Sequence, residues 1–128
     1  MPKMMVILSA EKKERTPREN QISMQQLDFI LKNHGYKEVV PVLGRYHATN
    51  EESRAVFVDT ESEVCDLLSI AGMFQQAEIL VERHGAGYLK DCTGRCKTEL
   101  CIGARREYTS APLAGDWTLL NGIFIQYK

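Results

Sequence analysis

A surplus of positive charge is missing from this chain. Sixteen Lys and Arg face seventeen Asp and Glu, a formal net charge of −1. Phosphate contacts need a basic excess, so the balance argues against a nucleic-acid partner and offers no field for an anionic membrane surface. Long hydrophobic runs are missing too: nothing approaches the ~20 apolar residues of a membrane-crossing helix. The short apolar segment Met4–Ala10 lacks a signal peptide's cationic start and cleavage pattern, so the chain reads as soluble and cytoplasmic. Histidine is scarce, and His34, His47 and His84 stand alone. His34 falls at an expected helix C-terminus, where a cation interacts well with the dipole. The four cysteines, Cys65, Cys92, Cys96 and Cys101, lack the two-residue spacing of a zinc knuckle. A site of the last three with His84 is therefore disfavoured, and free thiols packed as small hydrophobes are expected. No repeat, low-complexity tract or domain boundary interrupts residues 1–128, a length suited to one domain with one core.

What is present is a run of elements with legible ends. Met4–Leu8 is continuously apolar and of strand length, the pattern of a strand covered on both faces. Thr16-Pro17-Arg18-Glu19 carries a cap, a proline for the first helical position and a glutamate to complete a capping box. Ile22, Leu27, Ile30 and Leu31, with Met24 alongside, continue it as a helix from about Pro17 to His34, ended by Gly35. Tyr36 to Leu43 reads as a second strand, kept to an edge or bulge by Pro41. Ala55–Val58 reads as a third. Thr60-Glu61-Ser62-Glu63 repeats the capping box, and Val64, Leu67, Leu68 and Ala71 give a second helix ending near Gly72. Phe74–Val81 reads as strand four. The order βαββαβ predicts an α+β, ferredoxin-like sandwich with two helices on one face of an antiparallel sheet. The glycine-rich remainder supplies extra C-terminal hairpin strands, with strand-like pieces at Lys97–Ile102 and Trp117–Tyr127. Such a sheet leaves one face bare. Strands one and four are too apolar to be wetted, so that face is expected to pack against another copy.

Between strands two and three lies Gly44-Arg45-Tyr46-His47-Ala48-Thr49-Asn50-Glu51-Glu52-Ser53, a polar loop with one aromatic and two adjacent carboxylates. Loops held by rigid strands commonly carry binding groups. Neighbouring residues of an extended segment point to opposite sides, so one of Glu51 and Glu52 faces a pocket and the other solvent. The residues alone leave the choice open.

Several landmarks, taken in order, resemble one known family. They are Val6-Ile7-Leu8-Ser9-Ala10, Asn20 with Leu27 and Leu31, Gly35, Gly44-x-Tyr46, Glu51-Glu52, Gln76 before Leu80-Val81, and Ala111-Pro112-Leu113 with Gly115 and Thr118. On these residues the chain resembles the small phage-encoded S-adenosylmethionine lyases, formerly called S-adenosylmethionine hydrolases. The Tyr46-to-glutamate loop is shorter here than in that pattern, and Cys92–Cys101 has no counterpart in it. The resemblance implies trimers like those of PII-type signalling proteins, with active sites between subunits. It also implies cleavage of S-adenosylmethionine into 5′-methylthioadenosine and homoserine lactone, with no metal or cofactor. A phage setting would place the enzyme in the host cytoplasm, where it counteracts restriction–modification. Carried onto this chain, Glu51 or Glu52 holds the substrate ammonium and Tyr46 lies near the sulfonium. Ser9, Ala10, Gln76 and Asn20 serve as substrate-binding positions. A different class of function on the same architecture is a non-catalytic trimeric module binding a nucleotide or partner protein. A third is a thiol or zinc protein built on Cys92, Cys96 and Cys101.

Overall fold

The computed structural model of the chain describes residues 3–92 and 98–128. Its elements run β1 (Met4–Leu8), α1 (Pro17–Asn33), β2 (Val39–Tyr46), β3 (Thr49–Val58), α2 (Glu61–Met73), β4 (Glu78–Arg83), β5 (Ala86–Asp91), β6 (Glu99–Tyr108), β7 (Trp117–Leu120) and β8 (Ile123–Tyr127). Both helices begin on complete capping boxes. Thr16 Oγ1 accepts from Glu19 N at 3.1 Å while Glu19 Oε1 accepts from Thr16 N at 2.9 Å. Thr60 and Glu63 repeat the exchange at 3.2 and 3.1 Å. Each exchange satisfies two of the amide donors that a helix start leaves unpaired.

The strands form a closed antiparallel barrel in the order β1-β3-β2-β7-β8-β6-β5-β4. This corrects the ferredoxin-like βαββαβ sandwich. The sheet does not stop at β4: β5 and β6 continue it, β8 pairs with β6, and β7 returns to β2 at Leu43–Arg45. Closure leaves no strand edge to protect. Pro41 fits because β7 pairs with β2 only from Leu43 onward, so the missing N–H breaks no ladder there.

Two apolar layers lie on opposite sides of this wall. Met4, Val6 and Leu8 point outward and pack with Val56, Val58, Ile79 and Val81 against α1 (Met24, Leu27, Leu31) and α2 (Val64, Leu67, Leu68, Ile70, Ala71). Met5 and Ile7 point inward and meet Val42, Ala55, Leu80, Leu120 and Ile125 inside the barrel. The face expected to seek a neighbouring copy is thus the barrel interior, and β5–β8 cover it. Strand β1 is apolar on both sides because each side has its own core.

Several boundaries differ from the sequence expectation. Strand two is shifted to Val39–Tyr46, and strand four starts at Glu78 rather than Phe74. Strand three starts at Thr49, so Glu51 and Glu52 belong to a strand and not to a loop. The turn before it is only His47-Ala48, at φ 51° and 63°. Both residues are left-handed without being glycine, which is uncommon. The expected strand at Lys97–Ile102 runs over Glu99–Tyr108 instead, and Lys97 lies outside the described residues. Trp117–Tyr127 is two strands, reversed at Asn121-Gly122 (φ 49° and 81°), the conformation of a tight two-residue hairpin turn.

The expectation of free thiols is corrected at Cys65, which is disulfide-bonded; Cys92 and Cys101 are free. Burial pushes the Cys92 thiol up to about 11, far from the thiolate range of reactive cysteines. Among the described residues, no three His, Cys, Asp or Glu side chains converge as metal ligands. Cys96 falls outside those residues. No helix among them is long and apolar enough to cross a membrane.

Candidate functional site

A cavity of about 490 Å³ opens where β1 and β2 finish and β3, β4 and β7 begin, and it extends into the barrel. The strand registers bring its polar groups together. Gly44 of β2 lies opposite Glu51 of β3, Arg45 lies opposite Trp117 of β7, and Ile7 of β1 lies opposite Leu80 of β4. Side chains alternate along a strand, so Glu51 and Ser53 share the inward side with Ala55, while Glu52 and Arg54 point outward.

That parity decides between the two carboxylates. Glu51 lines the cavity. Burial, its largest influence, and then repulsion from Glu11 push its carboxyl above the usual range, against the lowering effect of the Ser9 and Ser53 hydroxyls. Ser53 Oγ donates to Glu51 Oε1 at 3.4 Å. Among the described residues Glu51 has no cationic side chain within ion-pair distance. Glu52 is on the outer face, half exposed, and paired to Arg54 Nη1 at 3.0 Å. Arg54 in turn reaches Asp28 on α1 at 2.8 Å.

Tyr46 also lines the cavity, and its hydroxyl shares a 2.7 Å hydrogen bond with Thr118 Oγ1. Burial pushes its phenol up to about 12, with the Glu51 and Asp116 charges adding and Thr118 opposing. Tyr46 therefore remains neutral at physiological pH. Its ring folds back over Gly44, where any Cβ would collide with ring carbons and the hydroxyl oxygen. The Gly44-x-Tyr46 pattern thus has a steric reason: the glycine makes room for the ring beside Glu51.

Ser9 lines the cavity, but its hydroxyl is already engaged. It donates to Glu52 O at 2.6 Å and accepts from Glu11 N at 3.0 Å, fixing the end of β1. Gln76 lines the cavity and donates Nε2 to Glu11 O at 2.9 Å, which leaves its amide oxygen as an acceptor. The remaining two positions are elsewhere. Ala10 is fully buried, with its N–H on Met24 Sδ at 3.4 Å. Asn20 holds the β1–α1 loop by accepting from Lys12 N at 2.9 Å and donating to Lys12 O at 3.0 Å.

Sequence reasoning did not assign His47, Ser53, Glu78, Asp116, Gln126, Tyr127 and Lys128 to the cavity, and it placed Trp117 in a core or interface. All eight line it. Trp117 is also buried and stacks edge-on to Phe124 at 5.1 Å. Asp116 Oδ1 accepts from His47 N at 3.0 Å, tying β7 to the strained β2–β3 turn. His47 and Ser53 lay within the polar loop singled out in the sequence, and Ile7, Leu8, Leu80, Gly115 and Thr118, which also line the cavity, were landmarks of the family pattern. The lining holds three carboxylates, Glu51, Glu78 and Asp116, against one lysine, Lys128. An apolar-walled cavity with an acidic excess and an unpaired carboxylate suits a cationic ligand with a large uncharged part.

Residues 6–128 match the family model described as the S-Adenosylmethionine lyase family, essentially the whole chain. No curated protein matches. The family match bears out the resemblance carried by the landmarks from Val6 to Thr118.

Proposed function

Because the chain belongs to the S-adenosylmethionine lyase family, and is thereby an S-adenosylmethionine-degrading enzyme, we propose that the barrel cavity is where that substrate is bound and cleaved. The observation that carries this reading is Glu51, a carboxylate inside an apolar lumen with no cationic partner of its own among the described residues. The substrate brings two cations, an ammonium and a sulfonium, and one carboxylate. Glu51 holds the ammonium and orients the methionyl chain. Tyr46 lies beside it, its ring face turned to cationic charge. The amide oxygen of Gln76 accepts from the same polar end of the substrate. Ser9 acts through the backbone it fixes, keeping Glu52 and the β1 end in place behind Glu51.

The reaction needs little from the protein in covalent terms. A substrate carboxylate oxygen attacks the γ carbon, the C–O bond of homoserine lactone forms, and the C–S bond breaks. Sulfur keeps the bonding pair and leaves as the neutral thioether of 5′-methylthioadenosine. No proton, oxidant or reductant enters the balance. An anion and a cation cancel, so water stabilises the separated charges more than the transition state. A dry lumen that holds the chain bent lowers the barrier by positioning and by replacing that water.

Mass-resolved product analysis in 18O-water tests this route. Methylthioadenosine and unlabelled lactone are expected first, and any homoserine formed later carries label in its carboxyl group. Label in the homoserine hydroxyl would mean direct attack by water and would end the lactone route. A pH profile gives a second test. The nucleophile is already ionised in mild acid, so the acid limb of kcat/KM belongs to Glu51. It is expected above the ordinary carboxylate range, with activity falling as pH drops through it. A limb that persists in Glu51→Gln would assign it elsewhere.

By resemblance we also infer a homotrimer, with the site placed in the barrel cavity of each chain instead of wholly between subunits, acting in the cytoplasm of a phage-infected host, where consuming S-adenosylmethionine disarms methylation and restriction. Sedimentation of the pure protein and plating of unmodified phage on a restricting host are the corresponding measurements.

A further inference from the structure

We propose that the inner part of the lumen receives the adenine of the substrate, with Tyr127 as its fixed wall and Glu82 and Arg105 as positioning residues. This rests on the cavity being the substrate site. The polar groups assigned to the methionyl end, Glu51 and Gln76, lie where strands begin and end. Beyond them the wall is Leu80, Leu89, Ile102, Ile125 and Tyr127, which belong to or pack against the inner core. A planar, uncharged, largely apolar heteroaromatic is the part of this substrate that such a wall accepts.

Tyr127 is held in three ways. One side of its ring lies against Gly87, where an added Cβ would stand 2.6 Å from Cδ1 and Cγ. Its hydroxyl donates to Glu82 Oε1 at 2.8 Å. Glu82 is itself held by Arg105 Nη1, at 3.3 Å to Oε1 and 3.1 Å to Oε2. The side chains of Glu82 and Arg105 are 14% and 29% exposed. Arg105 also meets the exposed Glu107 at 2.9 Å, so the hydroxyl is anchored on a carboxylate that already has a cationic partner. Burial and Glu82 hold the phenol far above its ordinary range, so it stays a neutral ring with a committed donor. Such a ring is pre-organised to stack and does not compete for the substrate's charged groups.

The test uses methylthioadenosine, which carries the base but neither ammonium nor carboxylate. Its binding is followed by the fluorescence of Trp117, the single tryptophan, which lines the cavity. Tyr127→Leu is expected to weaken this ligand by about tenfold, the scale of a lost aromatic face. KM for S-adenosylmethionine rises in step, while kcat stays within about threefold. Tyr127→Phe keeps the ring and is expected within about threefold of the parent. Gly87→Ala, which displaces the ring, weakens the same ligand and decides the matter if the leucine variant does not fold. Glu51→Gln leaves methylthioadenosine binding unchanged, because this ligand has no cation to lose. Parental affinity in folded Tyr127→Leu or in Gly87→Ala overturns the assignment. So does weakened inhibition by S-methylmethionine with unchanged methylthioadenosine binding, which would place the sulfonium at Tyr127. An inactive parent enzyme that still binds methylthioadenosine through Tyr127 would count against the lyase reading and leave this subsite standing.

Discussion

Replacing Glu51 by glutamine is expected to lower kcat/KM by about 100-fold or more, the scale of removing one partner from a desolvated charge pair. Glu52→Gln stays within about twofold, because its carboxylate lies outside the barrel on Arg54 and exposed pairs contribute little. The same Glu51 substitution is expected to raise thermal stability. A carboxyl whose folded pKa is raised binds more protons in the folded state than in the unfolded one. Stability is then highest below the unfolded pKa and declines as pH rises through the folded one. At neutral pH the charge on Glu51 therefore weakens the fold, and glutamine relieves it, by roughly 2–4 °C in Tm if the gain is about 0.5–1 kcal/mol. Loss of activity with gain of stability marks a group kept for binding rather than for folding. Parent-like turnover in Glu51→Gln would remove this carboxylate from the mechanism. A loss in Glu52→Gln instead would put the opposite face of β3 at the site.

Gly44→Ala is the second large effect. The new methyl group claims the space of the Tyr46 ring, so either the ring leaves or the β2–β3 pairing distorts. Overpacking of this kind destabilises by about 1–3 kcal/mol, which for a chain of this size lowers Tm by roughly 4–12 °C. Displacement of Tyr46 also breaks its hydrogen bond to Thr118 and opens the wall beside Glu51, so turnover is expected to fall by about tenfold or more. Tyr46→Phe, which loses only that hydrogen bond, should lose only a few-fold. A double-mutant cycle separates the causes: in a Tyr46→Ala background Gly44→Ala should be nearly neutral, since the methyl group then has room. A full, additive loss in that background would mean that the glycine matters for backbone reasons unrelated to Tyr46.

The amino-acid sequence by itself determined both helices. A capping box such as Thr16 with Glu19 or Thr60 with Glu63 is a contact over three residues, and local chemistry suffices to place it. It also determined β1, the family landmarks, and four residues that line one cavity: Ser9, Tyr46, Glu51 and Gln76. It could not choose between Glu51 and Glu52. From Ala55 onward β3 is apolar on both faces, because a helix layer covers one and the barrel interior the other, and this erases the alternation that would reveal parity.

Tertiary structure alone decided closure. The pairings of β2 with β7 and β6 with β8 join segments far apart in the chain, and no local pattern in either partner announces the other. The same closure supplied what the sequence left unassigned: Asp116, Gln126, Tyr127 and the inner wall of the cavity. Where the bare face of a four-stranded sheet was expected to meet another copy, the last four strands fold over it. The cost of leaving Met5, Ile7 and Leu80 wet is the same in either arrangement. Only the three-dimensional path of the chain shows which partner removes it.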